Sequence, residues 1–220
     1  MFQEWFVGNE VGVVRAHALT RSGWASVTPE DVQRCTEAAE LATLVEHPWP
    51  HIRAAIAAHP QISVILLRRL KNDSDATVRA AVAAHPYAAS SILWQLATDA
   101  DLTVRLSVAR NPHAPPCALA ILAHDDDPAI LALVGRHTSA PADVLAGLAA
   151  HALPAVRAAV ADNPGTPESV CMILARDQAA EVVMAVCLRR GLPKVISAFF
   201  VTSENRPLRN VIGRALAISE

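Results

Sequence analysis

Lysine is nearly missing from this chain. Lys71 and Lys194 are the only two, and the 19 basic residues are outnumbered by 21 acidic ones. A protein that tracks a phosphate backbone needs a basic excess or a concentrated basic face. Nucleic acid is therefore not expected as the main partner. Aromatic residues make up only 4% of the sequence, so the core must be built from Ala, Val, Leu and Ile. The eight glycines form no Gly-rich phosphate loop, and there is no Gly-x-Ser-x-Gly turn and no His-Glu-x-x-His pair. The four cysteines, Cys35, Cys117, Cys171 and Cys187, are far apart and form no Cys-x-x-Cys pair. That spacing excludes a disulfide framework and a clustered metal site, and fits reduced thiols in a cytoplasm. No charge-free apolar stretch approaches the ~20 residues that cross a bilayer. The first residues lack the basic segment and apolar run of a signal peptide. The expectation is a soluble, cytoplasmic protein with no membrane association.

Hydrophobic residues are 52% and charged residues 18%, which excludes disorder. What organises them is a period. Ile52-Arg53, Val78-Arg79, Val104-Arg105, Ile130-Leu131, Val156-Arg157, Val182-Val183 and Leu208-Arg209 recur every 26 residues, without insertion or deletion. Other columns keep the phase. Four residues on stand Ile56, Val82, Val108, Val134, Val160, Val186 and Ile212, followed by small residues such as Ala57, Ala83 and Gly135. Pro60, Pro86, Pro112 and Pro164 mark one turn, and Pro115, Pro141, Pro167 and Pro193 precede a second segment closed by a large apolar residue.

Each unit reads as two short helices. Asp75, Asp101 and Asp127 stand where an N-cap carboxylate accepts backbone N–H bonds. Pro50, Pro128 and Pro154 follow at the favoured first-turn site. The first helix must stop near His85-Pro86, because a residue before proline disfavours the α region. The second runs from the later proline column, as in Pro167 to Leu174. Helices this short are not stable alone, so each unit needs its neighbours.

The stretch from Asp99 to Ile121, Asp-Ala-Asp-Leu-Thr-Val-Arg-Leu-Ser-Val-Ala-Arg-Asn-Pro-His-Ala-Pro-Pro-Cys-Ala-Leu-Ala-Ile, resembles the leucine-rich repeat variant family. The resemblance implies an all-α, right-handed superhelix (a solenoid) in the style of HEAT and armadillo repeats. Its second helices would be short, α or 3₁₀. It implies no chemistry, because the family is defined by its scaffold. One member holds an iron–sulfur centre in an N-terminal cysteine cluster. Here Cys35 stands alone in the first 116 residues, so no such centre and no other cofactor is expected.

Residues 1–39 do not fit the period and are expected to form a divergent N-terminal helical cap. Val14 to Leu19 imitates a first helix out of phase, and Phe2, Trp5 and Phe6 would pack on the first repeat. Thr28 with Glu30-Asp31 reads as the start of a helix running toward Ala42. Residues 40–220 would be the solenoid with its C-terminal cap, in one structural domain.

Most tempting polar residues are repeat columns. Arg53, Arg79, Arg105, Arg157 and Arg209 match the periodic Asp73, Asp99, Asp125 and Asp177, which favours a structural ladder over a basic stripe. The histidine and asparagine file His59, His85, Asn111, His137 and Asn163 resembles a set of metal ligands. Successive helices lie roughly 10 Å apart, too far to share one ion, so satisfying helix C-termini suits it better. Asp125-Asp126-Asp127 is an ordinary column segment rather than a catalytic pair. The positions left for function break the pattern on exposed faces. In the column Ala58, Ala84, Arg110, Arg136, Asp162, Leu188, Arg110 and Arg136 should be neighbours. Arg68 and Trp94 should lie on the second-helix surface. The fourth repeat, with Leu131, Gly135 and Thr138, reads as a bend or a site. A bend is favoured, because glycine loosens a helix.

These features point to a non-catalytic protein-interaction scaffold whose contacts include Arg110, Arg136, Trp94 and Arg68. The competing reading is a nucleic-acid-binding or DNA-repair protein of the HEAT-like glycosylase type. It would use Arg110 and Arg136 as a phosphate track, with Trp94 or Trp49 near a base.

Overall fold

The computed structural model describes residues 24, 27–35, 38–189 and 196. Thirteen helices and no strand occur among them. The chain divides into two compact units, residues 1–111 and 112–220.

The first unit holds α1 (Pro29–Gln33), α2 (Ala38–Leu44), α3 (Pro50–Ala57), α4 (Val64–Leu70), α5 (Ala76–Ala84), α6 (Ser90–Leu96) and α7 (Leu102–Arg110). The second holds α8 (Pro116–Leu122), α9 (Pro128–Arg136), α10 (Ala142–Leu148), α11 (Pro154–Asp162), α12 (Glu168–Leu174) and α13 (Ala180–Leu188). From α2 onward, first and second helices alternate with the 26-residue period. The second helices are short, as expected. They are α-helices of seven residues rather than 3₁₀.

The starts follow the chemistry expected of them. Asp75, Asp101 and Asp127 accept from the backbone N–H two residues on. Pro50, Pro128 and Pro154 occupy the first turn. Pro115, Pro141 and Pro167 stand one step earlier, at the N-cap.

Within each unit the first helices pack directly on one another, α3 on α5 on α7 and α9 on α11 on α13, while second helices chiefly touch the first helices flanking them. The core lies between the two layers. Ile52, Ile56, Leu67, Ile92 and Leu93 fill it in the first unit, and Leu119, Ile130 and Leu145 in the second, each almost wholly removed from water.

The N-terminal side departs from expectation. Thr28 does form a capping box with Asp31, but the helix it starts ends at Gln33. The next helix begins at Ala38, in register with α4. The reason is angular. Val32 and Leu41 are both buried and nine residues apart. At 3.6 residues per turn a continuous helix would set them on opposite faces. A break lets α1 pack on α3 while α2 joins the second-helix layer. The expected packing of Phe2, Trp5, Phe6 and Val14–Leu19, and the C-terminal turn with Pro193, Leu208, Arg209 and Ile212, lie outside the described residues.

The fourth repeat is not loosened by its glycine. Helix α9 is an unbroken nine residues. A Cβ on Gly135 would come within 3.3 Å of Ala159 Cβ, Val160 Cγ2 and Val160 N. Glycine stands there because α9 and α11 approach closely.

Candidate functional site

The turn from each second helix to the next first helix is closed by one side chain. Asp73, Asp99, Asp125 and Asp177 accept from the backbone N–H two residues on, at 2.8–3.0 Å. His47 and His151 occupy the same column and do likewise through Nδ1, at 3.1 and 3.2 Å. Onto this turn comes the arginine of a neighbouring first helix. Arg53 donates Nε and Nη2 to the two carboxylate oxygens of Asp73, both at 2.7 Å, and Nη1 to the carbonyls of His47 and Pro48. Arg79 repeats this on Asp99, Asp73 O and Ser74 O. In the second unit Arg157 repeats it on Asp177, His151 O and Ala152 O. Each guanidinium thus ties two successive turns together. The Arg79 hydrogen bonds hold the Asp99 carboxyl below its ordinary range against the cost of burial. At Asp73 burial opposes the charge, and the Arg53 contacts outweigh it.

The opposite turn carries the histidine and asparagine file, and all five members are buried. His59, His85 and His137 accept at Nδ1 from the N–H two residues on, and Asn163 at Oδ1. In His85, Asn111 and Asn163 the other polar atom reaches one repeat back. His85 Nε2 lies 3.2 Å from His59 O. Asn111 Nδ2 donates to Ala83 O and His85 O, and Asn163 Nδ2 to Gly135 O and His137 O. Ala83 O and Gly135 O lie in the last turn of first helices, where carbonyls lack an intrahelical donor, and the His59, His85 and His137 carbonyls just beyond also accept from the N–H three residues on. The expected capping role holds, with the capped helix being that of the preceding repeat. A bond at Nδ1 from a backbone N–H also sets the tautomer, leaving the proton on Nε2.

Two columns change together. Leu131, buried, replaces the arginine, and His151, twenty residues on, replaces the aspartate. Sequence reasoning noted the first change and missed the second. The signal was the constant twenty-residue offset of the charged pairs. The file of turn caps also changes at its far end. Arg189 stands where His or Asn would, and reaches Pro164 O, Thr166 O and the buried thiol of Cys171.

Of the sequence-derived contact residues, Arg68 on α4 and Trp94 on α6 are brought into one column of successive second helices, both exposed. Arg110 ends α7 in the first unit and Arg136 ends α9 in the second, both exposed. Arg136 Nε lies 3.5 Å from Asp162 Oδ2, so its charge is partly met on the next first helix.

Other features are few. A cleft of about 360 Å³ lies between Glu46, His47 and Pro48 on one side and Arg69, Leu70 and Ser74 on the other, over the Arg53–Asp73 pair. Its charges serve one another, for Arg69 pairs with Glu46. The Trp49 and His51 rings stack 5.5 Å apart. No group of three or more His, Cys, Asp or Glu side chains is placed to hold a metal among the described residues. No helix there is long and apolar enough to cross a membrane.

An array of short helix pairs, tied turn to turn by periodic side chains, defines a helical-repeat protein. Within that class the likeness is to leucine-rich repeat variants. The family model described as leucine rich repeat variant matches residues 102–127. A solved structure described as a leucine-rich repeat variant with a novel repetitive protein structural motif superposes with a TM-score of 0.66 at 21% identity, over 92% of this chain and 82% of that one. The fold is therefore that of a leucine-rich repeat variant. No curated protein matches the chain.

Proposed function

We propose that this protein is a non-catalytic interaction scaffold whose partner is another protein. One observation carries the reading. Among the described residues the periodic polar side chains are consumed by the repeat itself: arginines on aspartates, histidines and asparagines on turn N–H groups and carbonyls. A guanidinium already holding a carboxylate and two carbonyls has little left for a substrate. What remains unspent are side chains on the outer faces, which suit a partner touching several repeats at once. Arg68, Trp94, Arg110 and Arg136 are the contacts we assign to it. The four cysteines are free thiols, which supports placing the protein in the cytoplasm.

The test is affinity purification from the native host with the full chain as bait, followed by rebinding of each candidate as a purified protein. A protein partner that rebinds, and is weakened by an Arg110→Glu/Arg136→Glu double variant, is the expected result. Turnover of a small substrate with no protein partner recovered would overturn the reading.

A further inference from the structure

The second helices of the two units present different outer faces. In the second unit α10 exposes Ala142, Asp143, Ala146 and Gly147, all small or acidic, and α12 exposes Ile173 beside Glu168 and Ser169. In the first unit α4 and α6 each expose a large apolar residue, and the turn between α5 and α6 exposes a third. Ile65 is 78% exposed and Trp94 48%, and Tyr87, in the turn leading to α6, is 69% exposed. Apolar side chains stabilise a fold only through the area they remove from water. Three of this size left outside, within two successive repeats, return little to the repeat stack and mark a surface that something else covers.

Within the two helices themselves the charge has one sign. Helix α4 carries Arg68 and Arg69 and no acidic residue, and α6 carries no charged residue. Arg69 is taken by Glu46. Arg68 is exposed and makes no ion pair or hydrogen bond among the described residues. It lies one helical turn from Ile65 and in the same column as Trp94, one repeat on. A single open guanidinium, with an aliphatic one turn away and an indole one repeat on, matches one carboxylate flanked by apolar groups. Arginine binds a carboxylate in a two-pronged fashion, and Trp and Arg are the side chains that dominate interface energies. A nucleic acid strand would instead require a row of cations.

We propose that the face formed by α4 and α6 docks an acidic, apolar linear segment of a partner protein. Its carboxylate sits on Arg68 and its large apolar side chains lie against Ile65 and Trp94. This rests on the interaction-scaffold reading above and names the partner chemistry for one of its faces.

Selection of a random linear-peptide display library on the immobilised full chain tests it. Enriched peptides should carry Asp or Glu within one helical turn of Leu, Phe or Trp. Their affinity, read by fluorescence polarisation, should fall about tenfold with Trp94→Ala and with Arg68→Glu, the loss of one hot-spot contact. Arg68→Gln, which removes the charge without reversing it, should show a smaller loss. Replacing the peptide's acidic residue by Lys should restore binding to Arg68→Glu. Asp143→Lys on α10 should leave binding unchanged, and circular dichroism should show each variant as helical as the parent. Enrichment of basic peptides, affinity indifferent to both α4 and α6 variants, or tighter binding of a labelled single-stranded oligonucleotide would overturn the proposal. Acidic peptides that bind but ignore these variants would remove the α4–α6 face and leave the scaffold reading standing. Failure of peptides and protein partners alike would remove both.

Discussion

Arg79 and Asp99 stand twenty residues apart and close a two-pronged ion pair, Nε to Oδ2 at 2.7 Å and Nη2 to Oδ1 at 2.8 Å. The same Asp99 accepts from Asp101 N, and the same Arg79 reaches back to the carbonyls of Asp73 and Ser74. One pair therefore holds three segments of chain in place. Both side chains are mostly buried. Asp99→Ala leaves a guanidinium without its counter-ion and a turn without its cap. It should cost about 2–3 kcal/mol of unfolding free energy in urea titration. A double variant Arg79→Met/Asp99→Ala should cost less than the sum of its two singles.

The joint change at Leu131 and His151 offers the converse experiment. Restoring Arg at 131 alone places a guanidinium on a mostly buried site without a carboxylate, and Asp at 151 alone adds a carboxylate without a cation. Together they rebuild the pair seen at Arg53–Asp73. The double variant Leu131→Arg/His151→Asp should be more stable than the sum of its singles by about 1 kcal/mol. Additive effects would show that the two positions differ for unrelated reasons.

Two helical glycines should respond oppositely to alanine. At Gly147 a Cβ meets nothing within 4 Å, so Gly147→Ala should stabilise by about 0.5–1 kcal/mol through helix propensity. At Gly135 the same Cβ meets three atoms of α11 at 3.3 Å. Gly135→Ala should lose that gain and destabilise by about 1 kcal/mol as α9 and α11 are pushed apart. Thermal melts of the two variants compare them directly.

Asn163 satisfies two carbonyls and one N–H while buried. Asn163→Ala should cost about 1–3 kcal/mol, since the buried Gly135 carbonyl loses its donor and the His137 carbonyl one of two. Asn163→His should retain much of the stability, because His85 makes equivalent contacts with an N–H and a carbonyl in the first unit. Urea midpoints of the two variants measure the difference.

Acid should weaken the protein in two stages. Burial holds His85 below its ordinary 6.5. Its neutral form caps Tyr87 N and binds His59 O, and protonation at Nδ1 would break the first of these bonds. Its folded pKa is thus lower than its unfolded one. The contribution is complete above 6.5 and lost as pH falls through the folded value. Asp73, Asp99 and Asp177 are likewise held below their ordinary 3.8, so their contribution persists to more acidic pH and is lost as pH falls through their folded values. Stability against pH should show an upper loss below about 6.5 and a lower one below about 3.8. His85→Asn should diminish the upper step alone.

The 26-residue period was legible because seven repeats keep their columns in phase without a gap. Arginine and aspartate of matched period announced their pairing, and the Asp N-caps announced the helix starts. The break after Gln33 was written in the half-turn offset between Val32 and Leu41, but a capping box and a run of helix formers masked it. Gly135 misled because its local meaning, a flexible link, is the opposite of its packed meaning, a close approach.

Helix starts, turns and the alternation of layers follow from the amino-acid order alone, because caps, prolines and apolar spacing act within a few residues of one another. Packing between repeats settled the rest: which carbonyls the His and Asn file satisfies, where an added methyl would crowd a neighbouring helix, and which second helices keep large side chains and one open cation outside. Those outcomes depend on atoms 26 residues apart coming within hydrogen-bonding distance or failing to be covered. No local rule reaches that far along the chain.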